Sequence, residues 1–222
     1  MKSSPPKKPA SESGDDPFVR FFRRAPKQSR SRAVVEAVVI ALEEQLAHTD
    51  DPNAWTLEAL VERAGIGIGS FYEYFPNRDS LLGVLIGKVT ERNFRSLLQA
   101  IDEKCDATLD DLLRTTSRAT ATAYLQKPAM LRVILSGVAR LGLHTHIVRE
   151  RDRFATELSS RAARFFPGVQ RDELDCAMRT IADASMGIIV ADVTRTETPD
   201  IDLNARRIEC IARATLDALE SS

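Results

Sequence analysis

Cysteine is scarce in this chain: Cys105, Cys176 and Cys210 are the only three, far apart and in no C-x-x-C arrangement. That excludes a disulfide scaffold or a zinc site and fits reduced thiols buried as small apolar groups. His144 and His146, two apart, fall on opposite sides of a helix and make no metal pair. Long hydrophobic runs are missing too. The apolar runs present, such as Met186 to Ala191, are far too short to span a bilayer, so no membrane partner is expected. The opening MKSSPPKKPASESGDDP has no apolar stretch of the signal-peptide kind, and a cytoplasmic location is expected. Net charge is only −1, which gives no global signature for nucleic acid. No G-x-S-x-G, Walker loop, H-E-x-x-H or glycine-rich dinucleotide fingerprint occurs, so neither an enzyme nor a cofactor is expected.

What is present is helical periodicity. Ala, Leu, Arg and Glu dominate, and no alternating strand run is bounded by hairpin turns. An all-α fold is predicted. Residues 1–16 are rich in Ser, Pro, Lys and Asp without apolar period, and residues 1–28 read as a disordered basic arm. Arg20, Arg23, Arg24, Lys27, Arg30 and Arg32 follow one another with no acid among them. Such a run neutralises phosphates without making the whole chain basic; taken alone, it also fits a solvated linker. Phe18, Val19, Phe21 and Phe22 interrupt it, either folding back on the domain or docking a partner. A helix from about Ser31 to Ala47 follows, with Val34, Ala37, Val38, Ala41 and Leu42 as its stripe.

Residues 56–82, TLEALVERAGIGIGSFYEYFPNRDSLL, carry the most information. Leu57, Leu60, Val61 and Ala64 form one apolar stripe of a short helix. Thr56 caps it, Gly65 ends it, and Trp55 sits where a hydrophobic staple packs. A second short helix starts at once, with Phe71 and Phe75 facing inward and Tyr72 and Tyr74 turned away. Two short helices around a glycine turn make a helix-turn-helix, whose second helix enters a DNA major groove. Its exposed start offers Ile68 for apolar contact with a thymine methyl, Gly69 for close backbone approach, and Ser70 for a hydrogen bond.

The run AGIGIGSFYEYFPNRDSLL closely resembles the recognition segment of the TetR (tetracycline-repressor) family of bacterial transcription regulators. The likeness covers roughly residues 30–88. It implies a three-helix DNA-binding domain over residues 29–78 and a helical effector-binding and dimerisation domain over residues 79–222. It also implies DNA contacts by Thr56, Ile68, Gly69, Ser70, Tyr72, Glu73, Tyr74 and Arg78; Gly67 at the cap, and Arg30 and Arg32 from the basic run, are added to the expected DNA-binding residues. Two positions depart from the family pattern. Gly67 replaces the usual Ser-like cap, and Ile68 a polar or basic residue. The recognition helix therefore holds no Lys or Arg, which throws affinity onto the arm and Arg78.

A long helix from about Asp79 to Lys104 is expected to run from one domain into the next. Helices then follow near Leu109 to Gln126, Ala129 to Leu141, Ile147 to Phe166, Arg171 to Arg195 and Asp202 to Leu219. The last two carry stripes assigned to a homodimer interface: Met178, Ile181, Ala182, Ser185 and Ile189, then Ile208, Ile211, Ala212, Thr215, Leu216 and Leu219. Packing within one subunit is the competing reading of both. An apolar small-molecule effector is expected among Phe94, Leu98, Tyr124, Met130, His144, Phe154 and Met186. The resulting expectation is a dimeric repressor of a palindromic operator, released by that effector. The alternatives are a helical protein-interaction module without sequence-specific DNA binding, and an activator.

Overall fold

The computed structural model describes residues 18–47, 49, 51, 54–103 and 108–220. Cys105 and the arm before Phe18 lie outside them. The described residues form α1 (Ser29–Leu46), α2 (Leu57–Arg63), α3 (Ile68–Tyr74), α4 (Arg78–Asp102), α5 (Leu109–Leu125), α6 (Pro128–Arg140), α7 (His144–Ala162), α8 (Arg171–Arg195) and α9 (Ile201–Glu220), with no strand among them. Starts and stops follow local chemistry. Thr56, Asn77 and Thr108 accept the third backbone N–H of α2, α4 and α5. Pro128 opens α6. Gly65 and Gly142, at φ +65° and +64°, close α2 and α6 in the left-handed conformation that a Cβ disfavours.

Helix α4 is the centre. Every residue from Ser80 to Gly87 is buried, so this half of the helix touches protein on all sides. On one side lie Val38, Leu42, Leu60, Phe71 and Phe75 of α1–α3 and the turn after them; on another lie Val133, Ile134 and Val138 of α6. Helix α1 is buried through Val35, Val38, Val39, Ala41, Leu42 and Leu46, a stripe rotated from the predicted one, with Val34 and Ala37 half-buried. The rotation follows from its neighbours: α1 meets α2, α4 and α6 together.

A third side of α4 is covered by residues 18–22, so the expected disorder does not extend through this part of the arm. Of the two fates left open for the phenylalanines, folding back is the one observed. Glycines one turn apart on α4 open two notches. A Cβ on Gly83 would come within 2.5 Å of the Phe21 ring, and one on Gly87 within 2.8 Å of Phe18. Phe18 also meets His146 edge-on at 4.6 Å, Phe22 lies 5.7 Å from Phe75, and Arg20 donates to the Leu141 carbonyl at 2.7 Å.

Charge pairs tie α4 along its length. Arg92 forks onto the buried Glu43 of α1 at 3.0 and 3.0 Å. Arg161 of α7 forks onto Asp102 at 2.6 and 3.0 Å, and its hydrogen bonds hold that carboxyl below the usual carboxylate range. Arg140 of α6 pairs with Asp79.

The remaining helices build two further clusters. Helix α5 lies along α9, and α8 packs between α7 and α9. The burial pattern bears on two expectations. Met178, Ile181, Ser185, Ile189, Ile208, Ala212 and Leu216 are buried within the subunit, with Ala182, Thr215 and Leu219 half-buried; of the residues assigned to a dimer interface, only Ile211 is exposed. A single chain needs those stripes to join α5, α7, α8 and α9. Cys176 and Cys210, expected inside, are both exposed, because they fall off the buried lines through Leu174–Ala177–Ile181 and Ile208–Ala212–Leu216.

Filling a notch tests the strap. Gly83→Val is expected to expel the Phe21 ring and lower stability by about 2 kcal/mol, the worth of one buried Phe. Urea unfolding of this variant beside Phe21→Ala reads it. Wild-type stability in both would mean that the segment contributes nothing.

Candidate nucleic-acid interface

The face that α3 presents is built by exclusion. Phe71 and Phe75, one turn apart with rings 5.3 Å from each other, are buried against α4 and fix the helix's orientation. What remains outside is Gly67, Ile68, Gly69, Tyr72 and Glu73, with Ser70 half-buried between them. Ile68 keeps 45% and Tyr72 41% of its surface, unusual exposure for such side chains and a sign of a contact surface. Gly67 and Gly69 have open space where a Cβ would stand, so nothing in the chain itself requires glycine at either.

Tyr74 departs from expectation. It is half-buried and packed against the first core cluster, since residues two apart on a helix cannot share a face with Tyr72. Its carbonyl accepts the Arg23 N–H at 2.8 Å, anchoring the arm to the end of α3. The arm then runs beside the helix. One concavity is walled by Arg24, Lys27, Gln28, Arg30, Ser70, Glu73 and Tyr74, and a second by Arg23, Arg24, Gly69, Tyr72 and Glu73. Cations and helix thus form one surface. The predicted site residues included Arg30 but not Arg23, Arg24, Lys27 or Gln28; the run of positive charge was the available signal. Arg32 is exposed on α1 but lines neither concavity.

Thr56 is exposed at the cap of α2, its hydroxyl accepting the Ala59 N–H at 3.2 Å. Arg78 opens α4 and is held at its flank. Its guanidinium lies over the buried Trp55 ring, 4.0 Å from the centroid, and donates to the Trp55 carbonyl. This sets the spacing between α2 and α4 on the flank of the surface.

Residues 44–85 match the profile of the bacterial regulatory proteins of the tetR family. The matched segment runs from the end of α1 through the helix-turn-helix into the first half of α4. The chain's likeness to solved structures is one of fold. A protein of Mesorhizobium loti MAFF303099 assigned to the TetR-family transcriptional regulators has TM-score 0.71 at 13% identity, covering 86% of this chain and 98% of that one. A TetR transcriptional regulator of Rhodococcus sp. RHA1 has TM-score 0.54 at 18% identity, covering 85% and 98%. The TetR-family regulator PfmR of Thermus thermophilus has TM-score 0.50 at 15% identity, covering 84% and 97%. A search of curated proteins finds no match.

The second half of the chain encloses a cavity of about 70 Å³ between α4, α5, α7, α8 and α9. Phe94, Tyr124, Phe154 and Met186 line it, with Phe94 stacked on Phe154 at 5.1 Å. The other three residues assigned to an effector site lie off this cavity. Leu98 is half-buried off the wall, and its neighbour Leu97 lines it instead. Met130 belongs to the first core cluster and to an open groove between α4, α5 and α6. His144, at the start of α7, is exposed. No helix among the described residues is long and apolar enough to cross a membrane.

Trp55 is the only tryptophan, so the emission reports on the surroundings of that one ring, the Arg78 contact included. Arg78→Ala uncovers one face of the indole, and a shift to longer wavelength is expected with a stability loss of about 1 kcal/mol. An unmoved spectrum would show that the stacking is not kept in solution.

Proposed function

We propose that the protein is a transcriptional regulator that binds duplex DNA as a homodimer and represses from a palindromic operator. The observation that carries this reading is the joining of arm and α3. A recognition helix without Lys or Arg gains Arg23, Arg24, Lys27 and Arg30 from another part of the chain. In this arrangement the arm grips phosphates, while Ile68, Gly69, Ser70 and Tyr72 meet base edges. Thr56 and Arg78 stand on the flank, Thr56 beside the free N–H groups of α2 and Arg78 at the positive end of α4. Glu73 accepts from a cytosine amino group or disfavours wrong sequences.

Selection of bound duplexes from a random pool is expected to return a palindrome. For the recovered site, Arg24→Ala with Lys27→Ala lowers the slope of log affinity against log salt by about 1.8, at ~0.9 per phosphate contact. An unchanged slope removes both side chains from the contact list; no duplex preference at low salt would falsify the regulator reading.

Dimerisation is assigned to the outer face of α8 and α9, where Gly187, Leu203, Ile211 and Ala214 remain exposed. The inner stripes are used within the subunit. Ile211→Glu is therefore expected to give a folded monomer that loses palindrome binding, read by light scattering and circular dichroism. A dimer that persists moves the interface elsewhere.

Release is assigned to the cavity. Phe94 and Leu97 form part of its wall and belong to the helix whose other half shares a core cluster with Phe71 of α3. A ligand that spreads this wall favours a conformation other than the DNA-competent one, and operator affinity falls.

A further inference from the structure

The cavity between α4, α5, α7, α8 and α9 is polarised along its length. At one end α5 contributes Leu109 and Leu113, α7 Leu158 and α9 Leu216. At the other stand Tyr124 and Arg151, the latter being the only charged residue among the described lining. These ends are 15 residues of α5 apart, about 22 Å at 1.5 Å per residue.

The polar end is unfinished. Arg151 keeps only 21% of its side-chain surface; its Nη2 reaches Asp183 at 2.6 Å, but that carboxylate is 58% exposed and faces water. Its Nε is buried with no acceptor. A buried guanidinium N–H without a partner is unfavourable and calls for an acceptor. Tyr124 is close enough to feel the Arg151 charge, yet burial dominates and pushes its phenol up to about 12. It therefore stays a neutral O–H at physiological pH. By contrast, the hydroxyls of Thr116 and Ser185 already donate within their own helices.

We propose that the effector is an amphiphilic carboxylate, a chain-like organic acid whose head meets Arg151 and Tyr124 and whose tail lies toward Leu109, Leu158 and Leu216. This rests on the effector reading of the cavity given above. A carboxylate accepts from both donors and balances the guanidinium, which an alcohol or ester does not. An ammonium head is opposed by Arg151. At about 70 Å³ the space is far below the 300–1,000 Å³ of sites for drug-sized ligands, so the acid enters by parting its lining side chains, α4's among them.

Titration calorimetry of the full chain with sodium decanoate, decanol and decyltrimethylammonium tests this. Decanoate is expected to bind at least tenfold more tightly than decanol, and the cation not at all. Arg151→Met should abolish the preference for the acid, with circular dichroism checking the fold. Should that variant not fold, Asp183→Asn serves: loss of the competing surface carboxylate should tighten decanoate binding about threefold and leave decanol unmoved. Equal affinity for acid and alcohol, no binding of either, or a preference that survives Arg151→Met overturns the proposal, as does unchanged decanoate binding in Asp183→Asn. Duplex binding by the same preparation without ligand reports on the regulator reading separately.

Discussion

The burial of α4 from Ser80 to Gly87 on every side is the constraint from which the rest follows. Against this half-helix lie the inward phenylalanines of the helix-turn-helix, the face of α6, and two aromatic rings of the arm seated over Gly83 and Gly87. Closely packed interiors do not deform continuously, so a displacement of α4 is passed on to whatever packs against it. Its other half, from Phe94 onward, walls the cavity. One rigid element therefore touches both places where a ligand is proposed to act.

The arm has two jobs that its composition mixes together. Phe18, Phe21 and Phe22 attach it to α4, the α7 start and the end of the helix-turn-helix; the cations that follow are delivered beside α3. Attachment lowers the ordering entropy that a loose arm loses on meeting phosphates. It also ties the basic residues to α4, the helix whose other half walls the cavity.

Amphipathic periodicity says that a face is buried, and not against what. The stripes of α8 and α9 fit either an interface between subunits or packing within one, and α5 and α7 lie against them here. The same limit applies to Leu98, one position from Leu97 on α4, and to His144 and Met130, neither of which lines the cavity. Cys176 and Cys210 were assumed buried because cysteine commonly is; the helical phase of their neighbours put them outside.

Local chemistry was readable without coordinates. Thr56 and Gly65 bound α2, Phe71 and Phe75 mark the inner face of α3, and the spacing of these residues carried the family resemblance. Each depends on residues a few positions apart, so neighbouring side chains hold the whole instruction. The route of the arm does not. Gly83 and Gly87 look like weak points in a helix until Phe21 and Phe18, more than 60 positions earlier, are found in the spaces they leave. The Arg78 seat on Trp55 and the unmatched Arg151 Nε inside an apolar cavity have the same character. Contacts between distant segments depend on how helices cross, and crossing is set by packing the entire core at once.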